Sequence, residues 1–223
     1  MAMRRRYIGW MTGCIVLLAV SSSTAQDTVI DEDDYNSNQQ HTSNGWDLIG
    51  QEQFEDALSQ FNLAIDSYDG NADSFVGRAN ALLRIDRFSE AQKDIETALL
   101  LAPDQADMFY LAGNIYFKME YFELAARNYS SAIRANDTSD IPVDLINCYY
   151  NRGNAYFSAG MYRSAINDFS RVIDANEDSF IAYHNRALAY KNREEYDMAC
   201  QDFYKAQELG SKMSQKYIDR YCP

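Results

Sequence analysis

An alanine recurs on a fixed beat along this chain: Ala57, Ala91 and Ala125 are 34 residues apart, and Ala165 and Ala199 are separated by the same 34. A period of that length specifies a linear array of helix pairs, each too small to bury its apolar face alone. The one irregular interval, 40 residues from Ala125 to Ala165, reads as six inserted residues at 140–145 between the third and fourth units. An array tolerates such an insertion because each unit touches only its neighbours.

Aligned on that alanine, the chain divides into units at 38–71, 72–105, 106–139, 146–179 and 180–210, followed by a capping helix at 211–223. Seven residues after the alanine come Ala64, Ala98, Ala132, Val172 and Ala206. Three before it stands an aromatic in every unit, Phe54, Phe88, Phe122, Tyr162 and Tyr196. Twelve before it come Gly45, Ala79, Gly113, Gly153 and Ala187. Small residues let two antiparallel helices approach closely, and the aromatic after the turn fills the space between them.

These columns resemble the tetratricopeptide repeat, with its Trp, Leu, Gly, Tyr, Ala, Phe, Ala and Pro at set places. Unit four carries Tyr149, Gly153, Tyr156, Tyr162, Ala165 and Phe169; unit three carries Phe109, Gly113, Tyr116, Phe122, Ala125, Tyr129 and Ala132. The departures are that only Pro103 keeps the closing proline, with Asp69, Asp137, Glu177 and Ser211 elsewhere, and that unit one has His41 and Asn44 where large apolar residues are expected. The resemblance implies an all-α fold, a right-handed superhelix of five helix-turn-helix repeats, and a non-enzymatic role in protein–protein interaction.

Arg78, Arg152 and Arg186 occupy one column, sixteen residues before Asp94, Asp168 and Asp202. Units one and three replace both members, with Asn44 and Gln60, and with Ala112 and Asn128. Joint presence or absence predicts structural ion pairs, the guanidinium bidentate on the carboxylate.

The N-terminal residues 1–25 read as a signal peptide: basic 1–6, apolar 7–20, then Ser23, Thr24 and Ala25 before a cleavage point. The competing readings are a lipid anchor at Cys14 and an uncleaved anchor. The expectation is an exported protein, periplasmic or secreted, with no membrane insertion after cleavage. Residues 26–40 are acidic and poor in large apolar side chains, and read as a disordered spacer. Their carboxylates lack the glycine-turned spacing of a calcium loop. A formal charge of −13, made more negative by losing three signal arginines, disfavours nucleic acid.

Outside the signal the cysteines are Cys148, Cys200 and Cys222. Cys200 follows the alanine of the last unit, Cys222 ends the capping segment, and the two helices are expected to pack together. A Cys200–Cys222 disulfide is the favoured reading and free thiols the alternative. The ending also resembles the ends of exported tetratricopeptide proteins of Gram-negative bacteria. The mature chain has only His41 and His184, with no metal spacing, phosphate loop or nucleophile elbow, so neither metal, cofactor nor enzymatic activity is expected. Cys148 and His184, in adjacent first helices, are the one pair that spacing alone leaves open.

The first helices should line a concave groove. One column there reads Trp46, Asn80, Asn114, Asn154, Leu188; a second reads Val76, Tyr110, Tyr150, His184; a third reads Leu83, Phe117, Phe157, Lys191. Asparagine amides both donate and accept, so a ladder of them can hold an extended backbone, and aromatics are typical interface anchors. The expected peptide-binding residues are Asn80, Asn114, Asn154, Tyr110, Tyr150, Phe117, Phe157 and His184. Asp73 and Asp107 at the leading edge point to a basic or neutral peptide. Asp140 with Pro142 reads as a helix start, giving unit four a longer first helix that projects at the groove edge. The function that follows is an adaptor capturing a peptide or helix of an envelope partner. The alternative is a structural subunit assembled through the convex face or the ends.

Overall fold

The computed structural model describes residues 31–137 and 143–223, and the portion Asp31–Pro223 forms one compact unit. Among the described residues every regular element is a helix. In order these are α1 (Glu32–Gly50), α2 (Phe54–Ser67), α3 (Ala72–Arg84), α4 (Phe88–Leu101), α5 (Ala106–Lys118), α6 (Phe122–Ala135), α7 (Leu145–Ser158), α8 (Tyr162–Ala175), α9 (Phe180–Asn192), α10 (Tyr196–Glu208) and α11 (Gln215–Tyr221). The odd-numbered helix of each pair packs on the even-numbered one that follows. Successive first helices also touch one another, α1 on α3, α3 on α5, α5 on α7 and α7 on α9, whereas among the described residues the second helices do not. The first helices therefore form the inner layer of an all-α superhelix.

The alanine column is fully buried, with Ala57, Ala91, Ala125, Ala165 and Ala199 each at 0% exposure. One turn later Phe61, Ile95, Tyr129, Phe169 and Phe203 fill the space between paired helices. The glycine column answers that bulk: a Cβ at Gly113 would stand 2.5 Å from the Tyr129 ring, and one at Gly153 would stand 2.8 Å from that of Phe169. In units two and five the same column carries Ala79 and Ala187, each at 0% exposure, with Ile95 and Phe203 as the fillers.

The turn inside each unit places one residue in the left-handed region: Glu52, Asp86, Glu120, Gly160 and Glu194, with φ between 60° and 74°. Only unit four uses the residue that adopts this conformation without steric cost.

Two expectations from the sequence are corrected. Residues 32–40 are helical, not a disordered spacer. Asp31 caps α1 by accepting from the Asp33 amide, and Glu32, Asp33 and Asp34 then occupy the first turn, where carboxylates complement the positive end of the helix dipole. Further along, the fully buried Asn38 donates to the carbonyls of Ala64 and Tyr68 at 2.8 and 2.9 Å and accepts from Asn71. These polar bonds, with His41 on Gln60 at 2.8 Å, stand in for the large apolar residues that unit one lacks.

The first helix of unit four is not extended. It begins at Leu145 behind Asp144, whose carboxylate accepts from the amides of Ile146 and Asn147, and it has 14 residues against 13 in α3, α5 and α9. Asp140 and Pro142 lie outside the described residues, as do residues 1–30, which hold the expected signal peptide and the first part of the expected spacer.

Candidate functional site

The three arginines of the repeat column each bind two units. Arg78 directs Nε and Nη2 onto the two oxygens of Asp94, both at 2.7 Å, and Nη1 onto Asn62 of the preceding unit at 2.8 Å. Arg152 does the same to Asp168 and Ser130, and Arg186 to Asp202 and Ser170. Burial alone would lower the pKa of Arg152 and Arg186, but the hydrogen bonds and charge of their carboxylate partners offset it and the net shift is upward. Unit three, with Ala112 in this column, meets unit two through Tyr116, whose hydroxyl donates to Glu96 at 2.8 Å.

Inside this frame the inner face of units two to four forms an open-sided cavity of about 440 Å³. Three amides, Asn114, Asn151 and Asn154, line it with the apolar Leu83 and Phe117, and Arg84, Lys118 and Asp86 contribute charge. Asn114 is held by Tyr129, whose hydroxyl donates to its Oδ1 at 2.8 Å. Asn154 Oδ1 accepts from Asn185 at 3.1 Å, and among the described residues the Asn154 NH₂ has no protein acceptor.

Of the eight residues expected to bind peptide, Asn114, Asn154 and Phe117 thus share one cavity. Asn80, Tyr110, Tyr150 and Phe157 stand outside its lining. Tyr110 and Tyr150 join units: the Tyr110 hydroxyl accepts from Asn151 at 2.8 Å with its ring 5.8 Å from Tyr129, and the Tyr150 hydroxyl accepts from Asn185 at 3.3 Å with its ring 6.1 Å from Phe169. Phe157 lies edge-on to Tyr162 at 5.5 Å, and Phe117 to Phe122 at 5.4 Å.

His184 is corrected outright. It is buried at 5% exposure, its Nδ1 pairs with the Ser214 hydroxyl at 2.9 Å, and its ring lies 5.6 Å from both Phe203 and Tyr217. It belongs to the core beneath α11, which occupies the place where a sixth unit would stack. That cap is fastened by a Cys200–Cys222 disulfide and by Tyr217 stacked on Phe203 at 5.0 Å. Burial, with Lys216 nearby, depresses the His184 pKa.

Cys148 is also fully buried, and burial pushes its thiol up to about 11, the opposite of what activates a cysteine nucleophile. Among the described residues no three His, Cys, Asp or Glu side chains gather as a metal site.

Asn151, Arg84 and Lys118 escape a reading of the expected groove columns. Asn151 and Asn185 do carry a signal, because each follows a unit with tyrosine at the facing position. Where the preceding unit has Val76, the residue opposite is the apolar Leu111. Asp73 and Asp107 do not line the cavity. Burial raises both pKa values, and Asp73 accepts from the Trp46 indole at 3.1 Å.

Helix pairs stacked in register, an inner layer of first helices and a polar inner cavity define a helical-repeat solenoid. Three tetratricopeptide-repeat family models match the chain, over residues 76–141, 146–179 and 181–210. The chain belongs to the tetratricopeptide-repeat family. Its fold is similar to that of YrrB, a TPR protein described as having an unusual peptide-binding site, with a TM-score of 0.71 and 21% identity over 81% of this chain and 90% of that one. It is similar also to MamA, with a TM-score of 0.69 and 19% identity over 83% and 96%. MamA 41-end from Desulfovibrio magneticus RS-1 aligns with a TM-score of 0.69 and 16% identity over 78% and 95%. At these identities the likeness is one of fold. Among curated proteins none matches the sequence.

Proposed function

We propose that this interaction scaffold captures an extended segment or helix of a partner protein in its concave groove, between units two and four. The observation that carries the reading is the cavity of about 440 Å³ in which Asn114, Asn151 and Asn154 present amides beside Leu83 and Phe117. Amides that both donate and accept can pair with a peptide backbone, while the apolar walls take up a side chain. The structurally similar YrrB is described as a peptide binder. Lys118, with Arg84 that also lies 3.9 Å from Glu52, against Asp86 favours a neutral or acidic segment, which narrows the expectation of a basic or neutral one drawn from Asp73 and Asp107.

The same proposal places the protein in the cell envelope or outside it, with residues 1–25 removed as a signal peptide. The Cys200–Cys222 bond is compatible with an oxidising compartment. Among the described residues no helix is long and apolar enough to cross a membrane.

The test is crosslinking capture from envelope fractions with the wild-type chain and a Lys118→Ala/Asn154→Ala variant, chosen because truncation at these positions removes few internal bonds. Helical circular dichroism and Tm should match between the two. A partner held by wild type and lost from the variant supports groove capture. The same partners on both would move binding to the convex face or the ends and leave a structural subunit as the reading.

A further inference from the structure

We propose that the turn edge of units three to five is a second docking surface, fitted to a cationic amphipathic helix of another protein. The edge is formed by the turns joining first to second helices and the residues just after them. In units one and two it is polar: Gln53, Glu55 and Asp56, then Arg87, Ser89 and Glu90, are exposed around Phe54 and Phe88. Arg84 covers the Phe54 ring at 4.8 Å, and Arg87 pairs with Glu90.

From unit three onward apolar residues enter this edge. Tyr121 and Met161 stand where units one and two have Gln53 and Arg87, and Leu124 and Met198 where they have Asp56 and Glu90, while Ser164 and Glu195 keep those columns polar in units four and five. Tyr121 is 52% exposed, Leu124 40%, Met161 44%, Tyr196 44% and Met198 44%. Large apolar side chains scattered singly over a surface are ordinary, but here each of units three to five sets at least one of them on the same edge. A hollow of about 370 Å³ lies between the turns of units three and four, lined by Tyr121, Phe122, Leu124 and Ala159 and flanked by Glu120 and Glu123. Folding of the array does not require Tyr121, Met161, Leu124 or Met198 to be apolar, since units one and two fold with Gln53, Arg87, Asp56 and Glu90 in those columns.

The flanking charge selects the occupant. Glu120, Glu123, Glu194, Glu195 and Asp197 border the apolar positions, opposed by Arg163 and by Arg193, which is already paired to Glu195 at 2.7 Å. At unit five they are opposed also by Lys191 and Arg220, which lie over Tyr221, the ring stacked on Tyr196. The acidic excess is greatest at Glu120 and Glu123 beside the hollow. A second copy docking the same edge would set carboxylates against carboxylates. An anionic lipid surface would be repelled for the same reason. A helix with leucines along one face and lysines beside them meets both requirements. Units spaced by about 10 Å place three edges over roughly 20 Å, the length of about 14 helical residues.

The probe is a synthetic amphipathic helix of about 14 leucine and lysine residues, with leucines three and four apart, titrated against the full chain by fluorescence anisotropy. Controls are a peptide of equal charge lacking leucine and one with glutamate for lysine. Wild type should bind the first at least about tenfold more tightly than either control, and Leu124→Asp/Met161→Asp should lose about that factor. These side chains are exposed, and circular dichroism checks that the fold is kept. Glu120→Lys/Glu123→Lys, which leaves the apolar residues in place, should weaken binding as well. The groove variant Lys118→Ala/Asn154→Ala should bind as wild type, so failure at one surface is distinguishable from failure at the other. Equal binding of the leucine-free peptide, or indifference to both edge variants, would overturn the proposal. So would concentration-dependent dimers abolished by the edge variants, or binding seen only after residues 1–25 are removed, since the occupant would then be a second copy or the chain's own leader.

Discussion

Tyr110 accepts a 2.8 Å hydrogen bond from the Asn151 side chain across the junction of units three and four. The same two columns hold Val76 and Leu111 one unit earlier, both buried in one apolar cluster, and the pair of Tyr150 with Asn185 one unit later. These three junctions thus match polarity across their two sides. A half-buried amide that loses its partner costs more than a pair replaced on both sides. Tyr110→Phe should therefore destabilise the array by about 1 kcal/mol in urea unfolding, and adding Asn151→Leu should restore most of it. Additive losses in the double variant would show that the two residues act independently.

The arginine clamps should be the most costly polar contacts to break. Asp168 is only 4% exposed at its side chain, and removing it leaves the Arg152 guanidinium largely buried without its charge partner. Asp168→Ala is expected to cost about 3 kcal/mol, whereas Arg152→Met/Asp168→Leu, which removes both charges, should lie much closer to wild type. Equilibrium unfolding of the three proteins separates a structural clamp from a surface pair, for which every variant would fall within about 1 kcal/mol.

The left-handed turn position gives a backbone test free of packing. A Cβ added at Gly160 meets nothing within 4 Å, yet φ there is +74°. Gly160→Ala should cost about 1 kcal/mol through the backbone alone. Glu194→Gly, at φ 63°, should gain several tenths, because relief of strain exceeds the added freedom of the unfolded chain. Thermal melts of both variants check the opposite signs.

Periodicity made the register readable, because identical units face identical neighbours: the alanine, glycine and aromatic columns and the arginine–aspartate coupling all lie within one unit. Contacts between units were harder to read. Asn151 and Asn185 become visible only when each unit is read against the one before it. Arg84 and Lys118 share their column with Gly50, Ser158 and Asn192, so the column carries no constant chemistry. His184 sits in a groove column, but being in the last unit it meets α11 instead of open solvent. The acids near residue 32 have the composition of a disordered tail and of a helix N-terminus alike, and only Asn38, buried against α2, decides for the helix.

Burial depresses the His184 pKa below its ordinary 6.5, with Lys216 adding to the shift, so the unfolded chain binds the proton first. Lys191, on the same helix and within 6 Å of the Tyr217 and Tyr221 rings, adds a second cation near that surface. This contribution to stability is complete above the unfolded pKa and is lost as pH falls from there through the lower, folded pKa. His184→Gln should remove that part of the pH dependence. Comparing the two proteins in urea at pH 7 and pH 5 isolates it from the carboxylates, which titrate in both. Parallel losses in the two proteins would mean that His184 contributes nothing.

The disulfide makes a prediction confined to one end of the molecule. Cys200 and Cys222 close a loop with a sequence separation of 22, for which the loss of unfolded-chain entropy gives roughly 3 kcal/mol. The cap it retains is short: α11 has seven residues and rests on Phe203 through Tyr217, with Ile218 buried beside it. A helix of that length does not persist alone, so without the bond α11 should open locally well before the rest unfolds. Repeats contact only their neighbours, so the opening should reach unit five and stop short of units two and three. In Cys200→Ser/Cys222→Ser, or in wild type under a dithiol reductant, hydrogen exchange should accelerate in α9, α10 and α11, by up to about a hundredfold if most of that free energy is lost there. Exchange in α3 to α6 should stay unchanged. Uniform acceleration along the whole chain would show instead that the array unfolds as one cooperative block and that the bond stabilises all of it.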